Sequence, residues 1–384
     1  MANTLTNLAA DIYLAADKVS RELVGFIPSV TRNTSANRAA LDDTVRSHKT
    51  NTATAGDNTP SMTIPEGTDQ VVGNETMTLN KSRGVPIPYE GEDTKHLDNG
   101  SGFTTVYGDQ IAQAMRTLSN EMEVDLAVAA TAGCSNAYGT AASTPFGTAN
   151  DYTDASNALR LLKDNGAGAF ENRMVIDTLA GANFLGKQAA VNSAGTDSIL
   201  RQGVILDVNG MPIRESAQIQ SHTAGTASGA KTDNAGYAIG ATTITLGSDG
   251  TGTILAGDVV TLAGDTNKYV IVTGDSDVSD GGTMVLQEPG LKVAITTAQV
   301  AITMIATSSR NVAFSESAIE LASRAPAKPG GRDASVDSMQ VIDPHSGLAF
   351  DVSIYLGFQK SMINVSSVWG VKVWKPEHVV ALLG

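Results

Sequence analysis

The sequence predicts an α+β fold in which a few helices support many short strands, and three observations carry that prediction. Between Asp109 and Thr131 the apolar residues Ile111, Met115, Leu118, Met122, Leu126 and Ala129 recur at steps of three and four, one stripe of a long helix. Apolar residues make up 41% of the chain, charged residues only 17%, and there are 38 glycines, a mixture that suits short strands, tight turns and exposed loops. Between residues 221 and 306 short apolar runs follow one another with Gly-Asp and Asp-Gly turns between them and no helical period.

In order, the chain opens with Leu5, Leu8, Ile12, Ala15, Val19 and Leu23 at helical spacing, an amphipathic helix that Gly25 and Pro28 close. Asp11 and Asp17 lie on its polar face. From Asn33 to Pro60 the sequence is polar and loop-like, with a turn of helix expected over 39–45. Glu75 to Lys81 then alternates Met77 and Leu79 with polar residues, and after Ser82-Arg83-Gly84 comes Val85-Pro86-Ile87-Pro88-Tyr89. The pair predicts a projecting two-stranded ribbon. Two prolines bar the second strand from a sheet centre, and the apolar face of the ribbon is expected on a neighbouring copy. Lys81 and Arg83 would stand at its tip and could meet carboxylates of that copy.

The long helix has Asp109 as its expected cap and Gly133 as the left-handed residue past its end, with Gln113, Arg116, Asn120 and Glu123 facing away from the stripe. At 1.5 Å per residue it is a rod of about 33 Å. A helix start over 155–162, a strand at Met174-Val175-Ile176, a helix over 180–191 and a strand at 204–208 follow, and Asn209-Gly210 signals a hairpin into Met211-Pro212-Ile213. After a small-residue linker over 222–235, strands are expected at 237–246, 254–262, 268–273, 283–287, 293–297 and 300–306, a small antiparallel barrel or sandwich inserted into its parent domain. Mixed structure returns at Arg310, and strands at 336–342, 349–358 and 364–374 are expected to pack on the long helix.

A net charge of −14 opposes adhesion to nucleic acid phosphates. The single cysteine, Cys134, excludes an internal disulfide and reads as an inert thiol. No basic leader and no run of 18 apolar residues is present, so a soluble protein made in the cytoplasm, without membrane contact, is expected. Gly181 to Lys187 has phosphate-loop spacing after a strand, with Asp207 as a possible metal holder. Its interior is not glycine-rich, and Gln188 stands where a Ser or Thr should bind Mg²⁺. Asp275 to Asp280 resembles a calcium loop but has Asp280 in place of the turn glycine and Leu286 in place of the bidentate Glu. The five histidines have no metal-like spacing, and no hydrolase signature is present. No cofactor, metal or catalytic residue is expected.

Several stretches together resemble the major capsid (coat) proteins of tailed bacteriophages, in particular the short-tailed Salmonella-phage type with an inserted β-domain. They are LTNLAADIYLAADKVSRELVGFIPSV, MTLNKSRGVPIPY, the long helix, NVAFSESAIELASRAP, and DPHSGLAFDVSIYLGFQ followed by SVWGVKVWKPEHVV. The resemblance implies the phage major-capsid fold: an N-terminal arm (1–45), an extended loop (46–103), the spine helix of a peripheral domain (104–134), an axial domain (135–220 and 307–335), an inserted barrel (221–306) and peripheral strands (336–384). It further implies a non-enzymatic subunit that forms hexamers and pentamers of an icosahedral head. Its partners would be a scaffolding protein and a portal protein, with double-stranded DNA enclosed without sequence-specific binding in a procapsid that expands. On this reading Asp11 and Asp17 meet a basic scaffolding segment or a neighbouring subunit. A tail or decoration protein, and a nucleotide-dependent enzyme using Lys187 and Asp207, are the alternatives.

Overall fold

The computed structural model describes residues 24–35, 37–50, 55–64, 72–92, 103–148, 151–168, 171–188, 207–296, 298–331, 333–342 and 347–384. The amphipathic N-terminal helix, with Asp11 and Asp17, lies outside the described residues. Strands β1 (Thr31–Thr34), β2 (Thr44–Thr50), β3 (Val72–Thr78) and β4 (Lys81–Glu90) come first, followed by helix α1 (Phe103–Ala132) and β5 (Asn136–Gly139). Next are α2 (Thr153–Asp164), β6 (Asn172–Ile176), α3 (Thr178–Gln188), β7 (Ile213–Glu215) and β8 (Ser221–His222). The glycine-rich stretch supplies β9 (Thr243–Leu246), β10 (Val259–Leu262), β11 (Lys268–Thr273), β12 (Gly282–Leu286) and β13 (Ile302–Met304). The chain finishes with β14 (Ser308–Ser315), β15 (Ile319–Arg324), β16 (Ser335–Ile342), β17 (Ala349–Leu356), β18 (Lys360–Val373) and β19 (Val379–Leu383).

Strand β18 is the trunk of the first sheet. One side pairs with β17 over Ser361–Ser366 and then with β15 over Val368–Val373, while the other side pairs with β4 over Lys360–Trp369. β16 borders β17, and β1 runs parallel to β15. The second sheet has the order β13-β10-β11-β5-β19-β14-β6-β7. Two short 3-10 turns, Glu316–Ala318 and Pro376–His378, carry the chain from one sheet to the other. The last strand therefore belongs to the second sheet, where β19 lies between β5 and β14.

Helix α1 begins six residues before Asp109, so that residue is interior and caps nothing. At about 45 Å the helix is longer than the apolar stripe required. Ile111, Met115, Leu118, Met122 and Leu126 are buried as the stripe predicts, but a second row, Ala112, Ser119, Glu123, Ala127 and Ala130, is buried too. The small residues of that row let neighbouring layers approach closely. Gly133 is not left-handed; a Cβ there would lie 2.7 Å from the Val373 side chain, so the glycine serves close packing against β18.

Alternation along the second sheet divides its two faces. Val312, Phe314, Val379 and Ala381 join the core around α1, while Ala313, Val380 and Leu382 join a second core with α2 and α3. At Asn209-Gly210 both residues have positive φ, and Val208 and Met211 exchange backbone hydrogen bonds across the turn, the two-residue hairpin that the Asn-Gly pair predicts.

In the glycine-rich stretch β13, β10, β11, β12 and β9 pair in that order, and bridges Thr232↔Leu246 and Lys231↔Ala301 join the two ends of the row through the segment at 231–232. Inside lies a separate apolar core that includes Ile244, Val260, Tyr269, Ile271 and Met284. The expected strand at 293–297 is a single bridge, Tyr237↔Ile295, and the strands expected over 237–246 and 254–262 shorten to β9 and β10. Nor is the stretch an island, because β11 also pairs with β5 of the body. Among the described residues no helix is long and apolar enough to cross a membrane.

Candidate assembly surfaces

The expected hairpin around Ser82-Arg83-Gly84 does not form. β3 pairs instead with β2, from Thr44↔Thr78 to Thr50↔Val72, and makes a two-stranded ribbon apart from both sheets. The helical turn expected over 39–45 is absent, because this segment feeds the ribbon. β4 docks on β18 as an edge strand, with Pro86 and Pro88 two residues apart on one parity. Alternation determines which residues share a face, but it carries no information about the pairing partner.

The apolar side chains of these strands also find cover within the chain, contrary to the expectation of a neighbouring copy. Tyr89 is buried, and Val85 and Ile87 pack against the core around α1. Met77 and Leu79 are buried with Ala39, Ala322 and Val368. The ribbon's root is fastened by further contacts. Ala39 donates to the Ala325 carbonyl, and Lys372 Nζ bonds the Thr76 carbonyl at 2.9 Å and lies over the Trp374 ring at 4.5 Å. Gly370 must be glycine here, since a Cβ would sit 2.3 Å from the Thr78 carbonyl oxygen.

Past that root the ribbon reaches about 20 Å outward over seven pairs. Residues 55–64 beyond it are exposed without exception, with Ile64 at 91% and Met62 fully open. Greasy side chains at the far end of a ribbon are a surface that the described residues leave uncovered.

Lys81 and Arg83 lie on β4 rather than at a ribbon tip, and both meet carboxylates of α1 in the same chain. Lys81 Nζ is 2.5 Å from Asp125 Oδ1 and Arg83 Nε is 3.0 Å from Glu121 Oε2. Asp125 also accepts a 2.8 Å bond from Trp369 Nε1, which joins α1 to β18. The Glu121 hydrogen bond raises the Arg83 pKa. These pairs border a groove of about 740 Å³ between α1 and β4, with Leu41 and Val124 as its apolar lining.

Glu123, expected on the solvent side, is fully buried. Its carboxylate accepts the N–H groups of Gly25 (2.7 Å), Phe26 (2.7 Å) and Ile27 (3.0 Å) and the Ser216 hydroxyl (2.7 Å). Those N–H groups lie at the start of the 3-10 turn Ile27–Ser29, which has no internal acceptor for them. Gly25 fits because a Cβ would lie 2.7 Å from the Glu215 carbonyl oxygen, and Phe26 stacks on Phe314 at 6.1 Å. The row of small residues beside Glu123 was the signal in the sequence that this face is covered.

Gly181 to Lys187 lies inside α3, where backbone N–H groups serve the helix and cannot cradle a phosphate. Lys187 Nζ turns inward to the Asp151 carbonyl at 2.5 Å, between the Phe146 and Tyr152 rings, and burial lowers its pKa against the pull of Asp154 and Asp151. Asp207 is exposed. In the calcium-like stretch Asp275 and Asp277 accept turn bonds from the Asp277 and Ser279 N–H groups. Among the described residues no three His, Cys, Asp or Glu side chains come together as a metal site. Cys134 is buried, its thiol pKa pushed up to about 12 by that burial. Beside it Arg310 is 2% exposed, with all three guanidinium nitrogens unpartnered among the described residues.

No family model and no curated protein matches the chain. Solved structures resemble it along most of its length at low identity. The capsid of cyanophage P-SCSP1u is 11% identical, with 94% of this chain and 89% of that chain covered and a TM-score of 0.48. The mature capsid of bacteriophage PhiM1 is 13% identical, with coverages of 94% and 86% and a TM-score of 0.47. A virus-like particle from Pyrococcus furiosus is 9% identical, with coverages of 98% and 100% and a TM-score of 0.46.

Proposed function

We propose that the chain is a coat subunit that assembles with copies of itself, as hexamers and pentamers, into the head of a tailed bacteriophage. One observation supports this above the others: the ribbon is packed at its root yet ends in exposed Met62 and Ile64, which nothing among the described residues covers. A projecting, apolar-ended ribbon on an otherwise well-buried body is suited to closing over a neighbouring copy. The groove between α1 and β4 has a fitting chemistry to receive it, with Leu41 and Val124 as apolar floor and the Lys81 and Arg83 ion pairs as polar rim. On this reading the subunit works by association and rearrangement, without bond-breaking chemistry, and encloses double-stranded DNA that its acidic surface does not hold.

The finer organisation belongs to the same proposal. Residues 221–306 form an inserted barrel, residues 1–45 an N-terminal arm whose Asp11 and Asp17 meet a scaffolding segment or a neighbouring subunit, and a portal marks the vertex where DNA enters. The test is Met62→Ser with Ile64→Ser, positions that stand exposed among the described residues. The thermal midpoint should stay that of the parent, while shells seen by electron microscopy disappear or need at least about tenfold more protein, the loss of one modest apolar contact. Normal shells from the double variant at the parent concentration overturn the reading. Deleting residues 1–23, which spares the Gly25 to Ile27 anchor, should likewise derail assembly.

A further inference from the structure

A polar cleft of about 530 Å³ lies on the seam where β11 pairs with β5, between the glycine-rich strands and α2. Asn267 and Lys268 line it at the start of β11, Thr140, Ser143 and Thr144 in the loop after β5, and Arg160 on α2. That loop holds an unusual shape. Between 139 and 146, Gly139 (φ 94°), Ala142 (φ 60°) and Phe146 (φ 58°) are all left-handed, and two of them carry a Cβ that disfavours it. Phe146 is kept there by burial against Phe184 at 5.3 Å and by its N–H, which donates to Asp154 Oδ2 at 2.7 Å. Strain that packing maintains sets the shape of the loop before any ligand arrives.

The charges around the cleft do not balance. Asp154 lines it too, and acts electrostatically on Lys187. Arg160 is paired with Asp164 at 3.0 Å. Lys268 has no such answer: its Nζ is bonded to the Gly139 carbonyl, no carboxylate among the described residues pairs with it, and burial lowers its pKa. A half-buried ammonium without a counter-ion is costly, and an anion entering the cleft offsets that cost. We propose that the cleft binds a phosphate group, free or carried on a small molecule, with Lys268 as its counter-charge and the hydroxyls of Thr140, Ser143 and Thr144 as donors. Lysine meets phosphate as a point charge, and several hydroxyls suit an anion with oxygens on every side better than a flat carboxylate. Duplex DNA is too wide for a cleft of this size, and the net charge of −14 repels it. The proposal concerns a single chain and stands apart from the coat reading, so unassembled subunits test it.

Inorganic phosphate titrated into the full chain, by calorimetry in chloride buffer at fixed ionic strength, should reveal one saturable site. Lys268→Met keeps the aliphatic stem and removes the charge, and should weaken binding by about tenfold or more, the loss of one charge-assisted contact. Arg160→Gln changes an exposed side chain of α2 and should weaken binding by a smaller factor, about threefold, with the thermal midpoint near that of the parent. Adenosine monophosphate tells the two sources apart. Binding about tenfold tighter than phosphate marks a ligand that fills the cleft, and equal affinity marks the free ion. Absence of saturable heat with the parent overturns the proposal. So does unchanged affinity in whichever of the two variants keeps the midpoint of the parent, since any heat would then report only the general action of phosphate salts on protein surfaces.

Discussion

Removing the Glu123 carboxylate would strand four donors at once: three consecutive backbone N–H groups and the Ser216 hydroxyl, all in a fully buried site. Each orphaned buried donor costs about 1–3 kcal/mol, so Glu123→Ala is expected to lose about 3 kcal/mol or more of stability, read as a lower midpoint in urea. A loss below about 1 kcal/mol would mean that Gly25 to Ile27 find other acceptors or do not sit where the structure places them. The residue was misread for a definite reason. A stripe rule assigns each helical position to a covered or a wet side, yet α1 is wedged between layers and buries two adjacent rows. Ala112, Ser119, Ala127 and Ala130 held that information as small volume rather than as hydrophobicity. The opposite error came at Lys81 and Arg83: nothing in the local sequence connects them to Asp125 and Glu121, about forty positions away.

Among elements, the root of the ribbon is secured by a charged cluster as well as by packing. Lys328 Nζ is buried between Asp351 Oδ2 (3.3 Å) and Asp333 Oδ2 (3.8 Å), Arg38 reaches Asp351 Oδ1 at 2.7 Å, and Tyr355 donates to Asp333 at 2.6 Å. Three segments converge there: the chain entering the ribbon, the β15–β16 connection, and β17. Hydrogen bonds from Ser335 and Tyr355 hold the Asp333 pKa far below the ordinary carboxylate value, against burial. A depressed pKa means that Asp333 contributes stability at any pH above its unfolded value near 3.9, and that the contribution is lost as pH falls from there through the folded pKa. The parent is therefore expected to be more stable than Asp333→Asn at pH 7, with the gap narrowing below about pH 4. A gap that stays constant down to pH 2 in thermal scans would contradict this. Elements with strong local signals, α1, α2, β6 and the strands after residue 335, were legible in the sequence. The pairing of β3 with β2 and of β4 with β18 was not, because register and partner depend on contacts distant in the chain.

For the whole molecule, the mixed α and β character and the run of short strands after residue 221 follow from composition and period, whereas the interleaving of the two sheets does not. Nothing in NVAFSESAIELASRAP marks Glu316–Ala318 as the corner where the chain leaves one sheet for the other. The property of the intact chain that the sequence states without a structure is its charge, −14 per copy. If copies associate through exposed apolar ends such as Met62 and Ile64, bringing them together costs electrostatic repulsion that no apolar contact removes. Salt shortens the range of that repulsion, from about 30 Å at 0.01 M to about 8 Å at 0.15 M, and leaves apolar burial nearly untouched. Light scattering of the full chain should therefore show faster and more extensive association as NaCl rises across that range. Association through ion pairs between copies would respond with the opposite sign, so a fall in scattering with added salt would relocate the driving force from the ribbon end to charged contacts.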